Sequence, residues 1–240
     1  MIPPFVIIGI IALGLIPSFS WLFFYLKKDE HPEPKYLIAQ TFLLGMISAP
    51  FVVAFEVLPT YLFTSGAVSQ ALLSSPAFLF WAAFVEEAFK FLIIWIFILN
   101  NPEFDEPVDA MIYLIVAGLG FAAMENILFL FKVYPQGISS TIAVWGLRFV
   151  GATFLHSLAA AITGYFVALA WFYYHHAYKL IALGLFLATI FHLAFNLFIL
   201  QSSSQGVSAL YSYALLIVLA IIVSTLFHKI WFRQHNETIG

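Results

Sequence analysis

Long apolar runs alternate with short polar connectors along the whole chain. Seven runs stand out, at about residues 3–26, 36–58, 76–99, 110–132, 145–172, 180–200 and 209–231. Each holds about 20 residues or more, enough at 1.5 Å per residue to cross ~30 Å of hydrocarbon. Between them fall KKDEHPEPK at 27–35, SSP before the third run, NNPEFDEPVD at 100–109 and SSSQG at 202–206. These connectors are rich in the residues that end helices and stay wet. The runs are continuously apolar, whereas strands of a membrane β-barrel alternate, so a barrel is excluded. The pattern predicts an all-α protein, a polytopic bundle of about seven transmembrane helices. With no internal repeat and no linker, residues 1–240 read as a single integral membrane domain. The first run is too long for a signal peptide and has no basic stretch before it, so it reads as a retained span.

Composition agrees and adds exclusions. The 240 residues are 63% hydrophobic and 9% charged, with a mean hydropathy of +1.02. A soluble domain carries roughly a quarter charged residues. The 28 Phe and 6 Trp suit a surface that faces lipid and its interfaces. Without cysteine there is no disulfide, thiolate metal site or cysteine nucleophile. A net charge of −3 and the lack of a basic run exclude nucleic acid as a partner. Lys27, Lys28, Lys35, Lys179, Lys229 and Arg233 all fall on one side of seven alternating spans. The other side has Lys132 and, near its edge, Arg148. The positive-inside rule then predicts a cell-membrane protein with its N-terminus outside and its C-terminus cytoplasmic.

The third run breaks the apolar pattern. PAFLFWAAFVEEAFKFLIIWIFIL carries Glu86, Glu87 and Lys90 in its middle. Each charge near a bilayer centre costs ~3 kcal/mol on insertion scales, so three in one span require compensation. Two neighbouring acids also repel unless a cation, a metal or a shared proton settles their charge. Polar groups in other spans lie at a matching depth. Glu86 is ten residues past Pro76, Glu125 ten before Pro135, His156 eleven past Trp145 and His192 nine before Gln201. All four fall about 14–17 Å from the same membrane face.

Helical spacing supports one cluster. Lys90 is a turn from both acids, and His192 and Asn196 share a face. Gly118 lies seven residues before Glu125, and Ala152, His156, Ala160 and Gly164 form a stripe suited to close packing in membranes. Arg148 lies two turns before His156, placed either to point into the same cavity or to snorkel to the interface. Glu56, His175, His176, His228 and His235 fall at or beyond span ends and read as solvated. A bland reading of Glu86, Glu87 and Lys90 is a charge network that fixes helix pairing. Two histidines at the depth of three carboxylates favour a working site instead.

Carboxylates and imidazoles around a wet cavity suit peptide hydrolysis. A glutamate takes the proton of water, a histidine orients that water or protonates the leaving amine, and a His–Asn pair donates to the developing oxyanion. Glu86, Glu87, Glu125, His156 and His192 are also candidate ligands for a divalent metal such as zinc, with Asn126 and Asn196 as orienting groups. Against zinc stand Lys90 and the absence of two histidines at i, i+4, so metal-free glutamate–histidine chemistry is slightly favoured. H-E-x-x-H and G-x-S-x-G are missing. Asp29, Asp105 and Asp109 lie in or beside connectors, which removes a paired-aspartate mechanism.

Four linked motifs resemble the PrsW family of intramembrane proteases: EEAFK (Glu86–Lys90), GLGFAAMEN (Gly118–Asn126), HSLAAAITG (His156–Gly164) and FHLAFN (Phe191–Asn196). The likeness covers about residues 76–200, four spans. It implies a place beside the CAAX prenyl proteases and bacteriocin-processing enzymes, a group of glutamate-dependent helical membrane proteases. It also implies roles in or beside the active site for Glu86, Glu87, His156, His192 and Asn196, and Glu125 and Asn126 match the motif of the PrsW branch. The CAAX branch has an arginine four residues after its second glutamate; Ile94 stands there, and Lys90 supplies the charge earlier. The substrate implied is a membrane-anchored protein, the anti-sigma-factor type included. Two other classes compete. A proton- or ion-coupled transporter also uses midplane acids and histidines, but it calls for matching broken helices in two halves, and the polar residues here concentrate in spans three to six. A non-catalytic scaffold with the same fold would use the cluster to bind a partner helix.

Overall fold

The computed structural model describes residues 2–27, 31–63, 75–205 and 210–237. Residues 202–205 of the expected SSSQG connector continue the helix before it, while residues 28–30, 64–74 and 206–209, the start of the seventh run with them, lie outside the described residues. Within them the order is α1 (Pro4–Leu26), α2 (Lys35–Phe63), α3 (Pro76–Phe97), α4 (Asp109–Val133), α5 (Ile138–Val150), α6 (Ala152–Phe172), α7 (Ala177–Gln205) and α8 (Leu210–Glu237). Short 3-10 turns at Tyr134–Gln136 and Tyr174–His176 complete it, with no strand among the described residues. Among the described residues, six stretches are long and apolar enough to cross a membrane: α1, α2, α4, α5 with α6, α7 and α8. α3 has the length, 22 residues, but also the three charges at its centre. The protein is a helical membrane bundle.

Local chemistry sets the ends of these helices. Ser75 caps α3, its hydroxyl accepting from the Phe78 amide at 3.2 Å, and Pro76 fills a first-turn position that needs no N–H. One boundary differs from the sequence reading. The fifth apolar run is not a single helix over 145–172 but α5 and α6, interrupted at Gly151 (φ −92°, ψ −88°) and beginning already at Ile138. The run is apolar on both sides of the break, so hydropathy gives no sign of it; a residue without Cβ is the local cue.

α4 is the central post. Every residue from Asp109 to Ala123 is buried, against α6, α2 and α1. α7 packs on α6 and α3, and α8 lies on α6. A Cβ on Gly118 would sit 2.9 Å from the His156 carbonyl oxygen, and one on Gly164 would sit 2.6 Å from Met111 Cα. Glycine therefore lets the α4 and α6 backbones meet, the close approach on which membrane helices rely in place of a hydrophobic driving force. Large apolar side chains such as Phe23, Phe51, Phe186 and Ile221 cover the outside.

Four polar segments gather at one end of the bundle. His31 Nδ1 lies 2.8 Å from Glu106 Oε1, and Gln234 Nε2 donates to Glu106 Oε2 at 2.6 Å. Arg233 Nη2 donates to the Tyr173 hydroxyl at 3.0 Å, and the Tyr113 hydroxyl donates to Glu33. The first, third and fifth connectors and the end of α8 thus share a face, as alternating spans require.

Candidate active site

α3 carries the charged residues inward. Glu86, Glu87 and Lys90 are 7%, 1% and 0% exposed. The Lys90 ammonium donates to Glu87 Oε1 at 2.7 Å and to His156 Nδ1 at 2.8 Å, and lies 3.9 Å from Glu86 Oε2. It also sits 4.8 Å from the centre of the Phe121 ring, so an aromatic face supplies part of its solvation. One cation thus offsets the repulsion of two adjacent acids.

The two histidines arrive on α6 and α7, their rings 5.1 Å apart and edge to face. Each gives one nitrogen to a carboxylate. His192 Nδ1–H donates to Glu87 Oε1 at 2.8 Å, and His156 Nε2–H donates to Glu125 Oε2 at 2.8 Å. A carboxylate accepts only, which assigns these ring protons. The other nitrogens face Glu86: His192 Nε2 is 3.7 Å and His156 Nδ1 3.8 Å from Glu86 Oε2. That oxygen is buried and has no hydrogen-bond partner, and the same holds for Glu87 Oε2. Glu86, His156 and His192 each offer a ligand atom, all within 4.8 Å of one another.

A polar arc continues on the far side of His156. Arg148, at the end of α5, donates through Nη2 to Glu125 Oε2 at 2.7 Å and through Nε to Asn126 Oδ1 at 2.7 Å. Asn126 Nδ2 in turn donates to Thr153 Oγ1 at 2.9 Å. Glu125 is the most open of these groups, its side chain 25% exposed.

The structure therefore brings Glu86, Glu87, Lys90, Glu125, Asn126, His156 and His192 together, and Arg148 points into the cluster instead of snorkelling. Asn196 is half-buried one turn beyond His192, and the cluster's hydrogen bonds do not include it. Glu56 corrects the sequence reading. It belongs to α2, which runs on to Phe63, and it is half-buried rather than solvated. Pro59 marks an early end to the second run, yet apolar residues continue to Phe63. Two neighbours escaped the sequence reading. Thr153, three residues before His156, and Phe121, four before Glu125, share the faces of residues that were noted, and that spacing is the signal that finds them.

The chain matches known proteins over most of its length. Residues 33–227 fit the model of a family described as PrsW family intramembrane metalloprotease. Protease PrsW of Geobacillus kaustophilus is 31% identical over 166 residues, 68% of each chain. Protease PrsW of Oceanobacillus iheyensis is 31% identical over 201 residues, 82% of this chain and 86% of the relative. Protease PrsW of Bacillus subtilis is 29% identical over 202 residues, 83% and 86% of the two chains. No solved structure matches the chain.

Proposed function

The chain belongs to the PrsW family and is an intramembrane protease, and from that premise we propose that it hydrolyses a membrane-anchored protein at a Glu86–His156–His192 centre holding a divalent metal such as zinc. One observation carries the reading. Glu87 and Glu125 each engage one nitrogen of a histidine, and the other two nitrogens, His192 Nε2 and the Lys90-bonded His156 Nδ1, turn toward the unpartnered Glu86 oxygen. Two imidazoles plus one carboxylate are a zinc donor set, and the carboxylate behind each ring is the support such ligands usually have. Separations of 3.7 and 3.8 Å are close to the about 3.4 Å between ligand atoms in a tetrahedral site with 2.0–2.1 Å bonds. The residues fit the ion.

Bound zinc would supply a Lewis acid for the scissile carbonyl and acidify a water molecule. The protein's groups divide the remaining work. Glu87 Oε2 takes the proton released as the water oxygen bonds to the carbonyl carbon. That proton passes to the amine nitrogen as the C–N bond breaks. Lys90 offsets the carboxylates throughout, and Asn196 lies one turn from His192 as a donor for the oxyanion. The lysine contact with His156 Nδ1 favours a second reading, in which no metal is held and Glu86 itself accepts the proton. The lysine distribution orients the bundle with Glu125 toward the outer face, so the expected substrate is anchored in the cell membrane and cut on that side, the anti-sigma-factor type included.

The test begins with metal content. Purified protein is stripped with a strong chelator, checked by elemental analysis, and assayed in liposomes on a single-span reporter with an outer segment of the anti-sigma type. Cleavage lost on stripping and restored by zinc supports the metal reading. Unchanged cleavage in a metal-free preparation establishes the second. Full cleavage by Glu86→Gln, His156→Ala and His192→Ala would remove this cluster from the chemistry altogether.

A further inference from the structure

We infer that Arg148 is a positioning residue of the active site, acting on His156 through Glu125. It enters from outside the catalytic core. α5 is a short helix set apart from α6 by the break at Gly151, and Ile138, Ile142, Leu147 and Val150 on it are exposed. Arg148 stands at its last turn with a side chain only 13% exposed, its guanidinium 4.1 Å from the centre of the Phe129 ring. A side chain free to snorkel would not give up solvent in this way, so its contacts are what hold it.

Those contacts close a circuit. Nη2 binds Glu125 Oε2, the oxygen that also accepts from His156 Nε2. Nε binds Asn126, and Asn126 binds Thr153 on α6. Thr153 lies three residues before His156 on the same helical face, so the loop returns to the residue it serves. Arg148 thus grips consecutive residues of α4 with one planar fork and fixes the direction in which Glu125 faces the imidazole. With Nε2–H directed at Glu125, the lone pair on Nδ1 is the acceptor for the Lys90 ammonium at 2.8 Å and faces Glu86 Oε2 at 3.8 Å. A lysine cannot reproduce this, because a single ammonium has neither the fork geometry nor the flat face that stacks on Phe129. Outer partners of ligating groups typically change affinity or activity 10–100-fold when lost.

The inference rests on His156 being a working residue of the proposed site, and its test separates the two. Histidine is labelled with ¹⁵N in metal-stripped protein, and the His156 signals are assigned by comparison with His156→Gln. Wild type is expected to show the proton on Nε2, where the Lys90 ammonium on Nδ1 also holds it, and Arg148→Ala a partial shift toward the other tautomer. A purely structural arginine would not move that signature. Zinc affinity, measured by chelator competition, should fall 10–100-fold in Arg148→Ala and recover in part on adding guanidinium, with methylammonium ineffective. Arg148→Lys, which keeps the charge, should show the same tautomer shift, and it decides the matter if the alanine variant does not fold. An unchanged His156 tautomer in Arg148→Lys or Arg148→Ala overturns the inference. Wild type that binds no zinc overturns the metal reading alone, since the tautomer is read without metal.

Discussion

Two polar clusters occupy opposite levels of this bundle, and they differ in how completely their groups are paired. At the connector end, Glu106 uses one oxygen for His31 and the other for Gln234, while Asp109 Oδ2 accepts from the backbone amides of Asp105 and Glu106. Nothing in that chain of contacts leaves an oxygen of Glu106 or Asp109 Oδ2 waiting for a partner, and water is close by: His31 is 66% exposed at its side chain. Within the membrane level, Lys90, Glu87, His156 and His192 are as closely connected, yet Glu86 Oε2 and Glu87 Oε2 are left without partners. A buried acceptor without a donor costs free energy that folding alone gives no reason to spend. The paired cluster joins connectors; the incompletely paired one leaves two converging carboxylate oxygens open, which is what the proposed site requires. Charge by itself does not distinguish them, whereas unsatisfied, converging groups do.

The comparison can be broken most severely at the incompletely paired cluster. Glu86→Gln and His192→Ala are each expected to lower reporter cleavage by about 10²–10⁴-fold, with helical content and thermal unfolding near wild type. The readout is single-turnover cleavage by the purified variants in liposomes. Wild-type rates in both would place the chemistry elsewhere. Next in size is Lys90→Met, which leaves Glu87 buried without its cation. Breaking a buried ion pair from one side costs about 3–5 kcal/mol, so this variant should unfold at markedly lower temperature in detergent, and an unchanged midpoint would show that Glu87 has another source of compensation.

A smaller effect belongs to the contact that brings together the two helices carrying Glu125 and His156. Gly164→Val puts a side chain where a Cβ alone would lie 2.6 Å from Met111 Cα. Overpacking of this kind typically costs about 1–3 kcal/mol, and separation of α4 from α6 should lengthen the Glu125–His156 bond and slow cleavage along with the loss of stability. A stable, fully active variant would mean that the helices can part without disturbing the site. The smallest effect is expected at the connector end. Glu106→Gln removes one side of a partly exposed ion pair, worth roughly 0–1 kcal/mol, and should leave cleavage within about twofold of wild type because Glu106 touches no member of the site. A large loss there would erase the distinction between the clusters.

Much of this was readable in the residues. The apolar runs marked the helices because a lipid-embedded segment must be apolar and must satisfy its own backbone, which leaves little freedom in length or type. Glu86, Glu87, Lys90, Glu125, His156 and His192 announced themselves because charge at that depth is expensive, and counting residues from the connectors set them at one level. Three features escaped that logic. The interruption at Gly151 changes no hydropathy. Glu56 lies only three residues before Pro59, a residue type that usually ends a helix, although α2 continues to Phe63. Thr153 and Phe121 are unremarkable in composition and matter through what they touch.

The sequence by itself determined that the chain is a membrane bundle, roughly where its apolar spans lie and which polar residues share one depth, since those follow from local hydropathy and a fixed rise per residue. Pairing was decided only by tertiary structure. Which nitrogen of each histidine meets a carboxylate, that Lys90 reaches from Glu87 to His156, and that Arg148 turns inward to Glu125 all depend on the relative rotation and separation of α3 to α7. Those in turn follow from close packing at positions such as Gly118 and Gly164, where contacts far apart in sequence set angles that no single helix encodes.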